Sequence, residues 1–590
     1  MRGRSLKTVI FTISAAILVG GCNPEGEVPV LNTASGAQAG QMSVGVSGAG
    51  NYLAGRHAQK KRDFSSASRL LEKALENGPK DAQLLRRAFL TKLADGDIAS
   101  AAGMAQTIAS AAGMAQTIAA QQKTAPIAKL VLVVDAIEKG DLAGAEATLK
   151  IFPDRGFSGF MKPLLRAWVI VGQGRGEEAI AALEPLKKQS GLRVLYELHA
   201  ALISDVAEQT TAAEGHYKLA ADNARRATLR VVQGLGRHYE RVDAPDKARS
   251  LYDAYVRENP DSVVLNPALD RIAKGVKPSL LASNVVEGVS EALFNIASTM
   301  TRQNSAQLAL IYGRLSTYLR KDFDLAQMLV AGLLESMDRG DNAIATYRRI
   351  DPNSPLYYSA RLRIAGNLEA LDRDDEAIDL LRVLTTEDPT RPDPLVSLGD
   401  LLRSNKHFEE SVKAYDRAVE VLGEIDKRHW TILYSRGISL ERSRRWELAE
   451  KDFQRALELN PEQPYVLNYL GYYWVDQGIN LDRARKMIER AVQLRPNDGY
   501  IVDSLGWVLY RLKDYKGAVG KLERAVELRP QDPTINDHLG DAYWRVGRLN
   551  EARFQWQRAL ALKPEADQVS AIEGKLLRGL GDVVSREKDS

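Results

Sequence analysis

Residues 499–530 read GYIVDSLGWVLYRLKDYKGAVGKLERAVELRP, and this stretch decides the fold. Val502, Leu505, Gly506 and Leu509 follow one another at 3, 1 and 3 residues, which is one face of an α-helix. After the turn Lys513-Asp514-Tyr515, Ala518, Leu522 and Ala525 repeat such a face on a second helix. Pro530 then ends that helix, because its fixed φ and missing N–H suit the position just past a helix terminus. Gly506, Ala518 and Ala525 are small where two helix axes must approach closely, since a larger side chain there would clash in a close-packed interior.

The pattern recurs. Pro461, Pro496, Pro530 and Pro564 lie 35, 34 and 34 residues apart. Five residues before each is an alanine (Ala456, Ala491, Ala525, Ala559), and eight before is a large apolar residue (Phe453, Ile488, Leu522, Trp556). Further back come Ala449, Ala484, Ala518 and Ala552, and then Gly437, Gly471, Gly506 and Gly540. A fixed period of this length is the mark of stacked helical hairpins, each too small to bury its apolar face without neighbours. Upstream, Gly55, Ala67, Leu71, Ala74 and Pro79 keep the frame, as do Gly236, Ala248, Tyr252, Tyr255 and Pro260. Weaker units bring the total to about a dozen, with one interruption over residues 261–322. The glycine, alanine, aromatic and proline pattern resembles the tetratricopeptide repeat. The resemblance implies an all-α fold, a right-handed superhelical solenoid whose concave groove binds other proteins and which rarely performs chemistry.

The first residues carry a different message. Arg2, Arg4 and Lys7 precede an apolar stretch, Val9–Gly20, too short to span a bilayer, and Val19-Gly20-Gly21-Cys22 supplies a small-residue cleavage site. This resembles a bacterial lipoprotein signal, which implies that residues 1–21 are removed and that Cys22, the only cysteine, carries the lipid. Residues 22–47 read as a flexible tether, rich in Gly, Ser, Ala and Pro, with a root-mean-square reach of roughly 25–30 Å. Asn23 follows the cysteine; an aspartate there typically retains a lipoprotein in the inner membrane, so the resemblance implies the periplasmic face of the outer membrane. The expected organisation then runs as an N-terminal repeat array over 48–260, a helical joint over 261–322, a C-terminal array over 323–565 and a capping helix and tail over 566–590.

Residues 100–109 and 110–119 are both SAAGMAQTIA. Ten helical residues turn through about 1000°, so the second copy is roughly 80° out of phase with the first and does not continue its buried face. Deleting one copy restores a normal hairpin length, which reads as a neutral duplication.

The search for chemistry finds none. The seven histidines form no i, i+4 metal pair, there is no HExxH, GxSxG or GxxxxGK[ST], and a lone cysteine permits neither a disulfide framework nor a Cys-based metal site. Gly172-Gln-Gly174-Arg-Gly176 falls between two repeat helices without the preceding strand a phosphate loop needs. No enzyme activity and no cofactor are expected. With 80 Lys+Arg against 76 Asp+Glu the chain carries a net charge of +4, which neither demands nor excludes nucleic acid. A lipoprotein outside the cytoplasm would not meet the chromosome, so no nucleic-acid partner is expected.

What remains is the groove. One step around each first helix from its core face lie Tyr465, Asn468 and Tyr472 in one repeat, and Tyr500, Asp503, Trp507 and Tyr510 in the next. Asp537 and Trp544 occupy this stripe in the last repeat, and Tyr434 in the repeat before the first of these. Solvent-facing stripes are normally polar, and Tyr and Trp dominate binding hot spots. Two readings stay open: a groove for an extended peptide, or rings packed against neighbouring helices. The full layout of lipobox, tether and repeats resembles the large outer-membrane repeat lipoproteins of proteobacteria. That group includes an adaptor that delivers cell-wall hydrolases to a periplasmic carboxyl-terminal processing protease. The resemblance implies a non-enzymatic, membrane-anchored scaffold whose partners are an envelope protease or a cell-wall hydrolase. An assembly or pilotin-like factor for a secretion or pilus system is the alternative. The groove lacks the Lys/Asn/Arg set by which chaperone-binding members clamp a C-terminal carboxylate.

Overall fold

Hairpin geometry starts with how each helix begins and turns. Asp498 accepts hydrogen bonds from the amides of Tyr500 (3.1 Å) and Ile501 (3.4 Å) at the head of helix Gly499–Arg511. Asp514 accepts from Gly517 (2.9 Å) at the head of Tyr515–Leu528, and Asp532 from Ile535 (3.0 Å) at the head of Pro533–Arg545. Each cap satisfies amides that the first turn leaves without an intrahelical partner. Within the pair, a Cβ on Gly506 would sit 2.5 Å from Leu522 Cγ, so only glycine lets the second helix come this close.

The computed structural model describes residues 47–77, 81–114, 125–153, 158–189, 191–223, 227–260, 262–300 and 305–581. Among these it forms 30 helices and no strand, and no helix is long and apolar enough to cross a membrane. Cys22, the tether up to residue 46, residues 115–119 of the duplication and the tail beyond 581 lie outside the described residues.

The turns between paired helices keep a ruler along the chain. A left-handed residue stands at Arg62, Gly96, Gly140, Gly174, Glu208 and Asp243, and again at Asp338, Asp372, Lys406, Arg444, Gly478, Lys513 and Gly547. Steps are 34 or 35 residues except three: 44 from Gly96 to Gly140, 38 from Lys406 to Arg444, and 95 across the interruption. The 44-residue step exceeds 34 by ten, the length of one SAAGMAQTIA copy. The first copy lies in helix Ile98–Met114, where Ala101, Ala102, Ala105 and Ile108 are buried. A second regularity follows the same frame: Tyr217, Tyr252 and Tyr347 are fully enclosed, and each phenol donates to an acid 12 residues earlier. The acceptors are Asp205 (2.9 Å), Glu240 (2.8 Å) and Glu335 (3.1 Å). An aromatic there fills the core without leaving a buried donor unpaired.

By packing, the chain divides into two units within helix Asp374–Glu387, after Ala377. In the N-terminal unit, the segment expected as a joint behaves otherwise. Its helices Val285–Met300 and Ala306–Leu319 pair with each other and pack against first helices of the array: Ala82–Asp95, Ala125–Glu138, Ser158–Gly172 and Arg193–Val206. First helices form the inner wall of such a solenoid, so this groove is filled by the chain itself. The fit is tight: a Cβ on Gly288 would lie 2.1 Å from Trp168 Cε3. Two polar pairs bridge the seam. Arg230 Nε donates to Glu291 Oε1 at 2.8 Å, with a second bond from Nη2 to Oε2, and the hydroxyls of Ser290 and Ser316 bond each other at 3.0 Å. Residues 323–377 also belong to this unit, where Arg339 pairs with Asp63 of the first hairpin at 3.3 Å.

The C-terminal unit stacks hairpins Asp393–Ser404/Phe408–Leu422, Trp430–Arg442/Trp446–Leu459, Pro464–Gln477/Leu481–Leu494, Gly499–Arg511/Tyr515–Leu528 and Pro533–Arg545/Leu549–Ala561. Helix Ala566–Arg578 packs on the last hairpin and buries Ile572 as a cap.

Candidate functional site

The sequence-predicted stripe lies on the first helices of four successive hairpins in the C-terminal unit, and the structure sorts its members into three groups. The first joins an aromatic cluster with its neighbours. Tyr434 sits edge-on to Tyr469 (6.2 Å, 87°) and beside Phe453 (6.1 Å), and burial pushes its phenol up to about 12. Tyr469 closes this cluster, 5.2 Å from Phe453, with its hydroxyl on Glu441 at 3.1 Å.

The second group is engaged by the cap. Trp544 is only 6% exposed and donates its indole N–H to the Leu580 carbonyl at 3.0 Å. Lys575 Nζ bonds both oxygens of Asp537 (2.9 and 2.8 Å) and Asp541 Oδ2 (2.8 Å). Burial and the neighbouring Asp537 charge raise the Asp541 carboxyl, against the Lys575 ammonium; burial depresses that ammonium, but the two aspartates outweigh it and raise it. Asp537 and Trp544 therefore belong to the end seal of the solenoid.

The third group stays partly open: Tyr465, Asn468 and Tyr472 on helix Pro464–Gln477, and Tyr500, Trp507 and Tyr510 on helix Gly499–Arg511. Trp507 lies parallel between two rings, Tyr510 at 4.9 Å (7°) and His538 at 4.1 Å (17°). Asp503, buried beneath them, bonds His538 Nδ1 at 3.0 and 3.1 Å. Burial disfavours the imidazolium of His538, but the Asp503 carboxylate outweighs it and the His538 pKa is raised. Arg529 and Arg495 place guanidiniums 4.9 Å and 5.7 Å from the ring centres of Tyr500 and Tyr465, within cation–π range. The Tyr510 hydroxyl accepts from Arg545 Nε at 3.3 Å. Asn468 differs from all of these: its Oδ1 is enclosed and has no hydrogen-bond partner among the described residues. An unfilled buried acceptor is costly unless something else donates to it.

Sequence reasoning missed His538, which supplies the third ring of the stack and the counter-charge of Asp503. Asp503 and His538 lie 35 positions apart, and nothing in a helical wheel joins one hairpin's stripe to the next hairpin's core edge. It also missed the second stacked pair, Trp446 on Tyr473 at 4.8 Å and 12°. Among the described residues no group of three His, Cys, Asp or Glu is arranged to hold a metal ion.

Sequence models of the tetratricopeptide repeat match residues 506–547 and, overlapping one another, 396–464 and 434–480. The chain therefore carries tetratricopeptide repeats in its C-terminal unit, and the fold is a tetratricopeptide-repeat solenoid, typically a non-catalytic scaffold for contacts with other proteins. Among solved structures it is similar to a chain of the Cut9–Hcn1 hetero-tetramer of APC/C, at 14% identity over 90% of this chain and 96% of that one, with a TM-score of 0.36. A tetratricopeptide-repeat protein from Parabacteroides merdae matches at 14% identity over 43% and 98% (TM-score 0.36). YrrB, a tetratricopeptide-repeat protein with an unusual peptide-binding site, matches at 20% identity over 33% and 97% (TM-score 0.26). No curated protein sequence matches the chain.

Proposed function

We propose that this protein is a lipid-anchored adaptor of the bacterial periplasm that holds an extended segment of a partner protein across Tyr465, Asn468, Tyr472, Tyr500, Trp507 and Tyr510. The observation that carries the reading is the row of five partly open aromatic rings on two successive first helices, with the polar Asn468 among them. The rings would cover the peptide's side chains, as Tyr and Trp do at binding hot spots. The groove of the N-terminal unit is filled by its own helices, which leaves the C-terminal stripe as the surface free to recruit. Cys22 and the tether would keep the scaffold at the outer membrane, and the partner class is an envelope protease or the cell-wall hydrolases delivered to it.

The test is a pull-down from detergent-solubilised envelope with residues 23–590 as bait, beside an Asn468→Ala/Tyr472→Ala variant of matched melting temperature. Recovery of a protease or cell-wall hydrolase by the parent and its loss with the variant is the expected result. Equal recovery by both baits would place partner binding elsewhere on the chain. Recovery of secretion or pilus components instead would favour an assembly role.

A further inference from the structure

In the N-terminal unit, helix Leu229–Arg241, helix Asn266–Ala273 and the start of helix Asp324–Glu335 line an open-mouthed cavity of about 200 Å³. At ~30 Å³ per water this is room for about seven waters, the size of a small metabolite rather than of a folded segment. Four guanidiniums line it, those of Arg230, Arg237, Arg271 and Arg320, together with Phe323 and one carboxylate, Asp324. Three are tied down. Arg230 is bidentate on Glu291, and Arg271 is bidentate on Glu240 at 3.0 and 2.8 Å. Arg320 lies 5.0 Å from the Phe323 ring centre, with Asp322 at 3.4 Å.

Arg237 is different. Its one hydrogen bond among the described residues is a long contact from Nη1 to the Leu280 carbonyl, 3.4 Å, and it has no carboxylate partner. Burial, with the Arg271 and Arg230 charges beside it, holds it down to about 10, so it remains a cation at neutral pH. A half-buried guanidinium with unfilled donors, lining a cavity whose other cations already have their counter-ions, lacks an anion of its own.

We propose that this cavity binds a small organic oxyanion, a carboxylate or phosphate monoester, with Arg237 as its anchoring cation. The guanidinium fork matches two oxygens of a carboxylate or a phosphate, and Phe323 offers an apolar wall for the rest of the molecule. Asp324 shares the wall and opposes excess negative charge, so it selects against highly charged ligands.

The experiment is isothermal titration of the full chain with inorganic phosphate and with succinate, at ionic strength held constant with sodium chloride. Saturable binding of at least one anion is expected, with a Kd on the order of 0.1–1 mM. Phosphate alone would identify a phosphate-bearing ligand, succinate alone a carboxylate, and both a general oxyanion site. Arg237→Gln should weaken binding at least tenfold, and Asp324→Asn should tighten it. No saturable binding of either anion, or an unchanged Kd in the Arg237→Gln protein, would overturn the proposal. Should Arg237→Gln melt early, Ser354→Trp decides, because it fills the cavity and leaves every arginine in place: binding lost supports the site, binding retained sinks it.

Discussion

His199 shows how one buried side chain makes a whole seam pH-sensitive. Its Nδ1 accepts the indole N–H of the fully buried Trp168 at 3.0 Å, and its Nε2 is enclosed without a partner. Protonation would put two donors face to face, and burial holds the imidazole down to about 4, against the pull of Glu291. The unfolded chain therefore takes up a proton before the folded one. Stability is full above pH ~6.5 and falls as pH drops toward 4, by at most about 3 kcal/mol from this residue. Chemical denaturation between pH 4.5 and 6.5 should show this slope in the parent and a flatter one in His199→Gln. His538 has the opposite sign. Its raised pKa means that its pairing with Asp503 stabilises the fold fully below pH ~6.5, and that contribution is lost as pH rises through the folded pKa. Because the ring stacks on Trp507, tryptophan emission should rise with a midpoint above 6.5, and Trp507→Phe should abolish that transition. At the hairpin turns, Lys513 holds a φ of 63°, a region that strains any residue with a Cβ. Lys513→Gly is expected to raise stability by about 0.5–1 kcal/mol in thermal melts.

At the scale of the element, the cap and the duplication make contrasting predictions. Helix Ala566–Arg578 covers the last hairpin through Lys575 and the segment that accepts the Trp544 indole N–H. Lys575→Ala leaves Asp537 and Asp541 facing each other without their shared cation. A loss of about 2–4 kcal/mol is expected in urea denaturation followed by tryptophan fluorescence. A drop under 0.5 kcal/mol would show the cap to be unimportant. Deleting residues 110–119 returns the step from Gly96 to Gly140 from 44 to 34, the frame of the other hairpins. The shortened protein should keep its helical circular dichroism and melt no lower than the parent. The repeated hairpins were legible because Gly506, Ala518, Leu522 and Ala525 obey a local steric rule that the structure repeats with Leu522 against Gly506. The packing of helix Val285–Met300 was not legible. Its apolar run signals burial but not the surface that buries it, and Gly288 against Trp168 is a match across 120 residues.

Across the whole molecule, the two units use their inner walls differently. In the N-terminal unit a matched charge pair sits in the filled groove, and breaking it strands a buried cation. Glu291→Gln should therefore cost about 3–5 kcal/mol, read as early loss of that unit in a protease-resistance melt. In the C-terminal unit the stripe from Tyr465 to Tyr510 is left partly open, while Tyr434 and Trp544 at its two ends are absorbed by neighbours and cap. The fold class, the hairpin frame, the extra ten residues and the aromatic stripe were determined by the sequence alone, because each follows from spacing within one or two helices. Which groove is filled, which rings stay open and where four arginines meet were decided only by the tertiary structure. Those depend on pairs such as Arg230 and Glu291, or Asp503 and His538, that lie tens of residues apart, and no local periodicity encodes the partner.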